Sequence, residues 1–446
     1  MRTLSSRQAQ VKRAAWASWI GSALEYYDFF LYSTAAALIL GPLYFPRAEP
    51  GLANLAAVAS IGAGYLARPF GALLLGYLGD RYGRRLVLCL TLLLMGLSTF
   101  AIGVLPTYRE IGIAAPLLLV ALRLLQGLAV SGEHAGANAL VLELAESRQR
   151  GLYTSFALSG TQAGIILSSV VFMLLSALLS ENELLTWGWR IPFLGSALLV
   201  VMGVWVRFSL PESPVFLAQR RSNESRVEPL EILWRQYRFD VLRVLLAAQV
   251  SVVPAIVAVF SLSWAVGQQQ IARTTMLAVL LASAGVGMLA IPLWAHLSDR
   301  IGRRSVFVFG ALASGVLIWP YLWAIAQASV ALLFVFGVLL AGVAYSAANG
   351  VWPSLYGEMF STRVRLSGVA VGTQFGFTLA AQAPTLALYL TRQTPAEWNP
   401  VACLVSVGCA LSAVAVLCSR ETSRLGMTDL GHPPDAANAQ RVRHEP

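Results

Sequence analysis

Apolar residues along this chain come in long runs separated by short polar turns. A helix that crosses a bilayer needs about 20 mostly apolar residues, and twelve runs qualify: 14–40, 53–78, 86–106, 113–138, 152–179, 186–208, 241–267, 275–297, 305–326, 330–352, 364–390 and 399–420. The longest polar stretch, Ser209 to Asp240, separates the sixth run from the seventh and carries Arg220, Arg221, Arg226, Arg235 and Arg238. The pattern predicts an all-α membrane protein, with twelve transmembrane helices in two pseudo-symmetric six-helix bundles. A tail at 1–13 precedes a bundle at 14–208, a central loop at 209–240 and a second bundle at 241–420. Residues 421–446 are polar, contain Pro433-Pro434 and are expected to be disordered.

Composition agrees. The chain is 57% hydrophobic and 12% charged, with mean hydropathy +0.66, which is outside the range of a soluble domain. The net charge of +10 does not imply nucleic acid, because the basic residues fall in short loops between apolar runs. The N-tail, the segment with Arg148 and Arg150, the central stretch and the turn with Arg363 and Arg365 are all basic, while the alternate loops hold little beyond Arg47, Arg109, Arg273 and Arg392. By the positive-inside rule both termini and the central loop are cytoplasmic, and the expected location is a bacterial inner membrane. Lys12 is the only lysine, so no Walker A site exists on this chain. Cys89, Cys403, Cys409 and Cys418 lie in apolar segments without Cys-x-x-Cys spacing and read as small hydrophobes. Glu25 and Asp28 interrupt what would be the apolar core of a signal peptide, so a retained first helix is expected.

One phrase occurs twice. Gly76-Tyr77-Leu78-Gly79-Asp80-Arg81-Tyr82-Gly83-Arg84-Arg85 returns as Ala295-His296-Leu297-Ser298-Asp299-Arg300-Ile301-Gly302-Arg303-Arg304, at an offset of 299 − 80 = 219 residues. A duplicated half is the simplest account. The glycines permit a tight turn, the arginines are expected in water beside lipid phosphates, and each aspartate needs a helix N-terminus or an arginine as partner.

Charge at bilayer depth costs at least about 2.5–3.5 kcal/mol per group and marks functional candidates. Glu25 and Asp28 are three apart on one helical face, with Asp28 roughly 22 Å along the helix from Arg13. Two carboxylates so placed cannot both ionise easily, which suits proton coupling. Arg68 stands about 18 Å from Asp80 by helical rise, and Arg123 opens a stretch containing Gln126, Glu133 and His134. The two arginines are either partners of the acidic residues or a clamp for an anionic substrate; spacing leaves both open. His134 is a candidate proton relay. The second half offers neutral polar and aromatic groups instead: Gln249, Trp264, Tyr345, Asn349, Trp352, Tyr356, Gln374 and Gln382. These suit either a small polar substrate or interhelical hydrogen bonding. Gly160 to Gly164 and Gly368 to Gly376 read as close-packing stretches where the halves rock. The four histidines are scattered, and no nucleophile or metal cluster suggests an enzyme.

These residues resemble the major facilitator superfamily. The repeated phrase resembles its loop signature after helices 2 and 8, and Arg123 with Gln126-Gly127 its helix-4 signature. More narrowly, Glu25-Tyr26-Tyr27-Asp28-Phe29-Phe30-Leu31-Tyr32, Arg68-Pro69-Phe70-Gly71, Ser131-Gly132-Glu133-His134-Ala135-Gly136 and Trp187-Gly188-Trp189-Arg190-Ile191-Pro192-Phe193 resemble the metabolite:proton symporter family. Its members take up shikimate, 2-oxoglutarate, citrate, other dicarboxylates, or proline and betaines. Trp187 to Arg207 and the Glu358-Met359-Phe360 turn lean toward shikimate-permease-like members. His134 departs from the family's usual Trp or Tyr, and Ala295-His296 lacks the leading glycine of the first copy.

The resulting expectation is a proton-coupled symporter that imports a small carboxylate-bearing metabolite by alternating access, as a monomer, without a cofactor and driven by the proton gradient. Asp28, Glu25, Glu133 and His134 are the proton-coupling candidates. Arg68, Arg123, Gln126, Tyr32, Tyr345, Asn349 and Gln374 are the substrate candidates. Gly76, Asp80, Arg81, Gly83, Arg84, Arg85, Asp299, Arg300, Gly302 and Arg303 are the gating loops. An exporter or antiporter on the same fold, and a proline- or betaine-type osmolyte symporter, are the alternatives.

Overall fold

A computed structural model of the chain describes residues 2–45, 50–208, 212, 216–217, 229–393 and 398–431. Arg47, Arg220, Arg221, Arg226 and Pro433-Pro434 lie outside the described residues. Each apolar run is helical, because in lipid only internal hydrogen bonding satisfies the backbone. The first bundle comprises α1 (Arg2–Ala35), α2 (Pro50–Tyr82), α3 (Arg84–Val104), α4 (Ala114–Leu144), α5 (Arg150–Leu178) and α6 (Arg190–Phe208). The second comprises α7 (Arg238–Gly267), α8 (Arg273–Ile301), α9 (Arg303–Ala326), α10 (Val330–Glu358), α11 (Arg365–Ala380, resuming at Ala383–Gln393) and α12 (Asn399–Leu417). Nine of the described helices are long and apolar enough to span a membrane on length and composition alone. α1 carries internal charges and α11 is interrupted.

Two helices overrun their expected ends, and the overrun matters. Both α4 and α10 continue six residues beyond the apolar runs, to Leu144 and Glu358, and so carry Glu143 and Glu358 into the packed interior. The glycine-marked stretches also differ from expectation. A Cβ at Gly160 or Gly164 would lie 2.2 Å from the Trp19 carbonyl oxygen or 2.4 Å from that of Ala23, so these residues seat α5 against α1. Gly372 and Gly376 likewise seat α11 against Val244 and Leu245 of α7. Both stretches hold a bundle together internally instead of forming the seam between bundles. That seam is made by α5 against α8 and α2 against α11, with α4 and α10 closing behind them.

The chain after α12 is also more ordered than its composition suggests. Glu421 accepts the backbone N–H groups of Arg303 and Arg304 at 3.0 Å each, Thr422 donates to Glu358, and Leu430 is buried. Residues 421–431 are therefore docked, because Glu421 finds a helix end and Thr422 a buried carboxylate. Part of the central loop is structured too, as an amphipathic helix at Pro229–Gln236 with Leu233 buried.

Candidate functional site

The repeated loops build two matching clusters across the seam. In the first, Asp80 accepts the N–H groups of Leu366 at 3.2 Å and Ser367 at 2.8 Å, capping the exposed N-terminus of α11. Arg84 lies 3.2 Å from Asp80 and 3.2 Å from Glu143, and Glu143 in turn accepts from Arg365 at 2.8 Å. Arg84 also donates to the carbonyl of Thr362 in the other bundle. In the second, Asp299 accepts the N–H groups of Gly151 and Leu152 at 2.9 Å each, capping α5. Arg303 lies 2.7 Å from Asp299 and forks onto Glu358 with both contacts at 3.1 Å, while Arg150 stands 3.8 Å from Glu358. Each bundle thus caps a helix of the other.

The two aspartates have the partners expected of them, a helix end and an arginine. The arginines do not: Arg84 and Arg303 are fully buried. Their charge is met by carboxylates that arrive from distant sequence, so they are out of water and away from lipid phosphate. Arg81 and Arg300 are the exposed members, Arg81 donating to the Tyr77 hydroxyl. Gly83 and Gly302 turn with φ of +122° and +107°, a region that favours glycine, and each has a glutamate packed against it, Glu212 and Glu421 respectively. Gly76 serves packing: a Cβ there would lie 2.9 Å from Ser367 Cα. Asp80 lies just beyond its apolar run, and burial pushes its carboxyl up to about 6 against the pull of Arg84 and the α11 N–H groups.

Above this latch lies a polar column inside the bundles. Arg123 is fully buried; its Nη1 donates to Gln126 at 2.9 Å, and its guanidinium covers the rings of Tyr32 and Phe29 at 4.2 and 4.5 Å. Its Nε and Nη2 make no hydrogen bond. Arg68 covers Tyr65 at 4.0 Å and Phe29 at 5.2 Å, with its Nε also without a hydrogen bond. Among the described residues neither arginine forms an ion pair with Asp28. Asp28 Oδ1 makes no hydrogen bond, and Glu133 accepts from Thr91 at 2.9 Å. Glu25, Asp28, Glu133 and His134 are all buried.

His134 links the column to the second bundle, meeting Tyr26 edge-on at 5.3 Å and Trp352 at 6.3 Å. Trp352 stacks on Tyr356 at 5.5 Å, meets Phe377 edge-on at 6.0 Å, and donates to Asn349 at 3.1 Å. Gln374 is buried with its Oε1 unbonded, and the Tyr356 hydroxyl and His134 Nε2 are unbonded as well. Tyr345 is half-buried nearby on α10. Gln126 is engaged at both ends of its amide, by Arg123 and by Thr99. Gln249 is interhelical, bridging to the Gly376 carbonyl at 3.2 Å, and Gln382 stays on its own helix.

Sequence reasoning missed Glu143, Glu358, Arg150 and Arg365 as site residues, and also Thr99 and Asn138, whose two side-chain polar atoms are buried without hydrogen bonds. A signal for the first four exists: Glu143 precedes Arg150 by seven residues, and Glu358 precedes Arg365 by seven, at an offset of 358 − 143 = 215.

The profile of the sugar (and other) transporter family matches residues 14–231 and 222–422. The shikimate transporter of Escherichia coli K12 is 35% identical over 426 residues, covering 95% of this chain and 97% of the relative. The proline/betaine transporter of Salmonella typhimurium is 31% identical over 445 residues, covering 97% and 88%. Among solved structures, the proton:xylose symporter XylE bound to 6-bromo-6-deoxy-D-glucose superposes with a TM-score of 0.75 at 17% identity, covering 92% of this chain and 95% of that one. The inward open conformation of XylE from E. coli gives 0.58 at 19% identity, covering 91% and 95%. The chain belongs to the sugar (and other) transporter family of the major facilitator superfamily and is a multi-pass membrane transporter of small molecules.

Proposed function

We propose that the protein is a proton-coupled symporter that brings a small carboxylate-bearing metabolite, such as shikimate or a di- or tricarboxylate, across a bacterial inner membrane. The observation that carries this reading is the pair Arg68 and Arg123. Two permanently charged groups sit at depth with guanidinium N–H groups free of hydrogen bonds, Arg68 on α2, which meets α11 of the other bundle, and Arg123 packed against α1 inside the first bundle. A buried cation without an ion pair is costly, and an anionic substrate is the partner that relieves it. Aromatic faces of Phe29, Tyr32 and Tyr65 hold the guanidiniums in place, and Trp352, Tyr356 and Gln374 supply the apolar and neutral polar walls opposite. The strong likeness to a shikimate transporter supports the same substrate class.

Asp28 is the proposed proton site, since it is buried, ionisable and not locked to an arginine. No cofactor is required; the proton gradient drives accumulation. Both termini are taken as cytoplasmic, which makes the latched end the inner one. The chain is taken to act as a monomer, residues 14–208 and 241–420 being the two moving bundles.

A second reading, an osmolyte symporter for proline or betaine, draws on the aromatic cluster of Trp352, Tyr356 and Phe377, whose ring faces suit a quaternary ammonium. Proteoliposome uptake of labelled shikimate, 2-oxoglutarate, citrate and betaine, with and without an acid-outside gradient, separates the two. Accumulation of one carboxylate that collapses with a protonophore supports the first reading. Betaine uptake alone, or efflux, overturns it.

A further inference from the structure

Three buried polar side chains between the proposed clamp and the latch have no hydrogen-bond partner among the described residues. His134 Nε2, both amide atoms of Asn138 and the Tyr356 hydroxyl are all unbonded, although each residue is exposed by 5% or less. The fold makes the three neighbours. His134 lies tilted against Trp352 at 6.3 Å, joining α4 to α10 across the seam. Asn138 follows one turn later on the same face of α4, and Tyr356 one turn later on α10, stacked on Trp352 at 5.5 Å. The two helices stay in contact here, since a Cβ at Gly357 would lie 2.9 Å from Leu142. Glu143 and Glu358 come only after them, so the three groups stand on the clamp side of the latch.

Toward the clamp the surface is aromatic. His134 meets Tyr26 edge-on at 5.3 Å, Tyr26 meets Phe29 at 6.3 Å, and Arg68 covers Phe29 at 5.2 Å. A buried polar atom left unbonded lowers stability, and an apolar side chain of the same shape avoids that loss. Yet four such atoms are kept together within one turn of two facing helices. None of the three side chains brings a fixed charge. The arginines of the latch beyond them are committed to Glu143 and Glu358. Trp352, between His134 and Tyr356, donates its N–H to Asn349 and offers only its ring faces. Such a set matches hydroxyl groups, which both donate and accept; a second carboxylate buried there would need a cation.

We infer that His134, Asn138 and Tyr356 form a hydroxyl-recognising subsite, so that the substrate is a hydroxylated carboxylate, chosen over the unhydroxylated acid of the same skeleton. The inference rests on the proposed carboxylate clamp and names the part of the molecule that the clamp leaves undefined. The carboxylate sits at Arg68, the carbon skeleton lies along the rings of Phe29, Tyr26 and Trp352, and the hydroxyls reach the three unbonded groups. His134 serves here as a hydrogen-bond partner of the substrate and not as a proton relay.

The test is calorimetric binding to the full chain in lipid nanodiscs, with pairs of acids that differ only in their hydroxyls. Shikimate is set against cyclohex-1-ene-1-carboxylate, malate against succinate, and citrate against tricarballylate. In at least one pair the hydroxylated member is expected to bind about tenfold more tightly or better, the scale of one or more hydrogen bonds. Tyr356→Phe and Asn138→Leu keep shape and lose hydrogen bonding, and each is expected to lower that ratio about tenfold. His134→Gln is expected to retain more of the ratio than His134→Phe. Thermal unfolding without ligand separates recognition from structure: Tyr356→Phe and Asn138→Leu are expected to melt no lower than wild type, because neither loses an internal hydrogen bond. Equal binding within every pair overturns the inference, as does a ratio that neither variant moves or a variant that only melts lower. In each of those cases a bound carboxylate leaves the proposed function standing. If no acid of the panel binds to wild type, the proposed function falls and the inference falls with it.

Discussion

The latched end of the molecule and its interior obey different rules. At the latch the two bundles are near copies: Asp80 answers Asp299, Arg84 answers Arg303, Glu143 answers Glu358, and Arg365 answers Arg150. In the interior the copies diverge: the first bundle buries Glu25, Asp28, Arg68, Arg123 and Glu133, and the second buries the neutral Asn349, Trp352 and Gln374. Closing a seam between two equivalent bodies requires the same contact twice, so symmetry survives there. Proposed binding of a proton and an anion requires one cationic wall and one neutral wall, so symmetry is lost there.

The sharpest way to break the comparison is to weaken one latch cluster at a time. Removing one partner from a buried ion network costs about 3–5 kcal/mol, because a charge remains without compensation. Glu143→Gln takes the carboxylate from Arg365 and leaves Arg84 with Asp80 alone, and Glu358→Gln takes it from Arg150 and leaves Arg303 with Asp299 alone. Each is expected to raise the population open at this end by about two orders of magnitude or more, and by similar factors. Spin labels at the exposed positions Arg148 and Arg300, one per bundle, report that opening as a lengthened distance. A large effect from one glutamate and none from the other would mean that the symmetry is geometric but not energetic.

The next largest effect belongs to the interior. Arg123→Lys keeps the charge and loses the planar fork on Tyr32, Phe29 and Gln126, and substrate affinity is expected to fall by about 10–100-fold, the range for a charged hydrogen-bond partner. Gln374→Leu, on the neutral wall, is expected to cost about tenfold or less. Binding of labelled shikimate by purified protein checks both. Equal losses at the two positions would dissolve the proposed division between a cationic and a neutral wall.

Much of the fold was legible because each span is a local property of the chain: twelve apolar runs gave twelve helices, and the repeated phrase pointed to two like bodies. The latch was legible only by half. Asp80 and Asp299 announced a need for helix ends, but Arg84 looked like a solvated loop arginine because its partners Glu143 and Thr362 lie 59 and 278 residues away. Glu143 and Glu358 fell just past the apparent helix ends, where hydropathy stops and packing continues. In the interior, helical rise set Asp28 and Arg68 along their own helices but said nothing of how near Arg123 comes to Phe29, the residue after Asp28. Nor could it give Thr99, which arrives from a third helix to accept from Gln126. The tail to Gly431 was misread for a similar reason: polar composition signals disorder only where no buried partner awaits it, and here Glu358 and two helix ends do.

The smallest expected effect concerns pH, and it tests whether the latch answers to protons independently of the interior. In the latched state burial raises the Asp80 carboxyl to about 6 from an ordinary 3.8, with Arg84 and two N–H groups opposing. When the seam opens that burial is lost, and the group returns toward its ordinary value. Between these two values the latched form binds more protons than the open form, so acid favours latching. The preference is complete below about pH 4 and is lost as pH rises through about 6. From pH 7 to pH 5 the ratio of open to latched molecules is therefore expected to fall about tenfold. The same spin-label distance in nanodiscs, read at both values, measures it. Asp80→Asn cannot titrate and is expected to flatten the response while Asp28→Asn leaves it in place. If Asp28→Asn flattens it instead, the latch has no proton sensitivity of its own, and the symmetric end of the molecule merely follows the asymmetric interior.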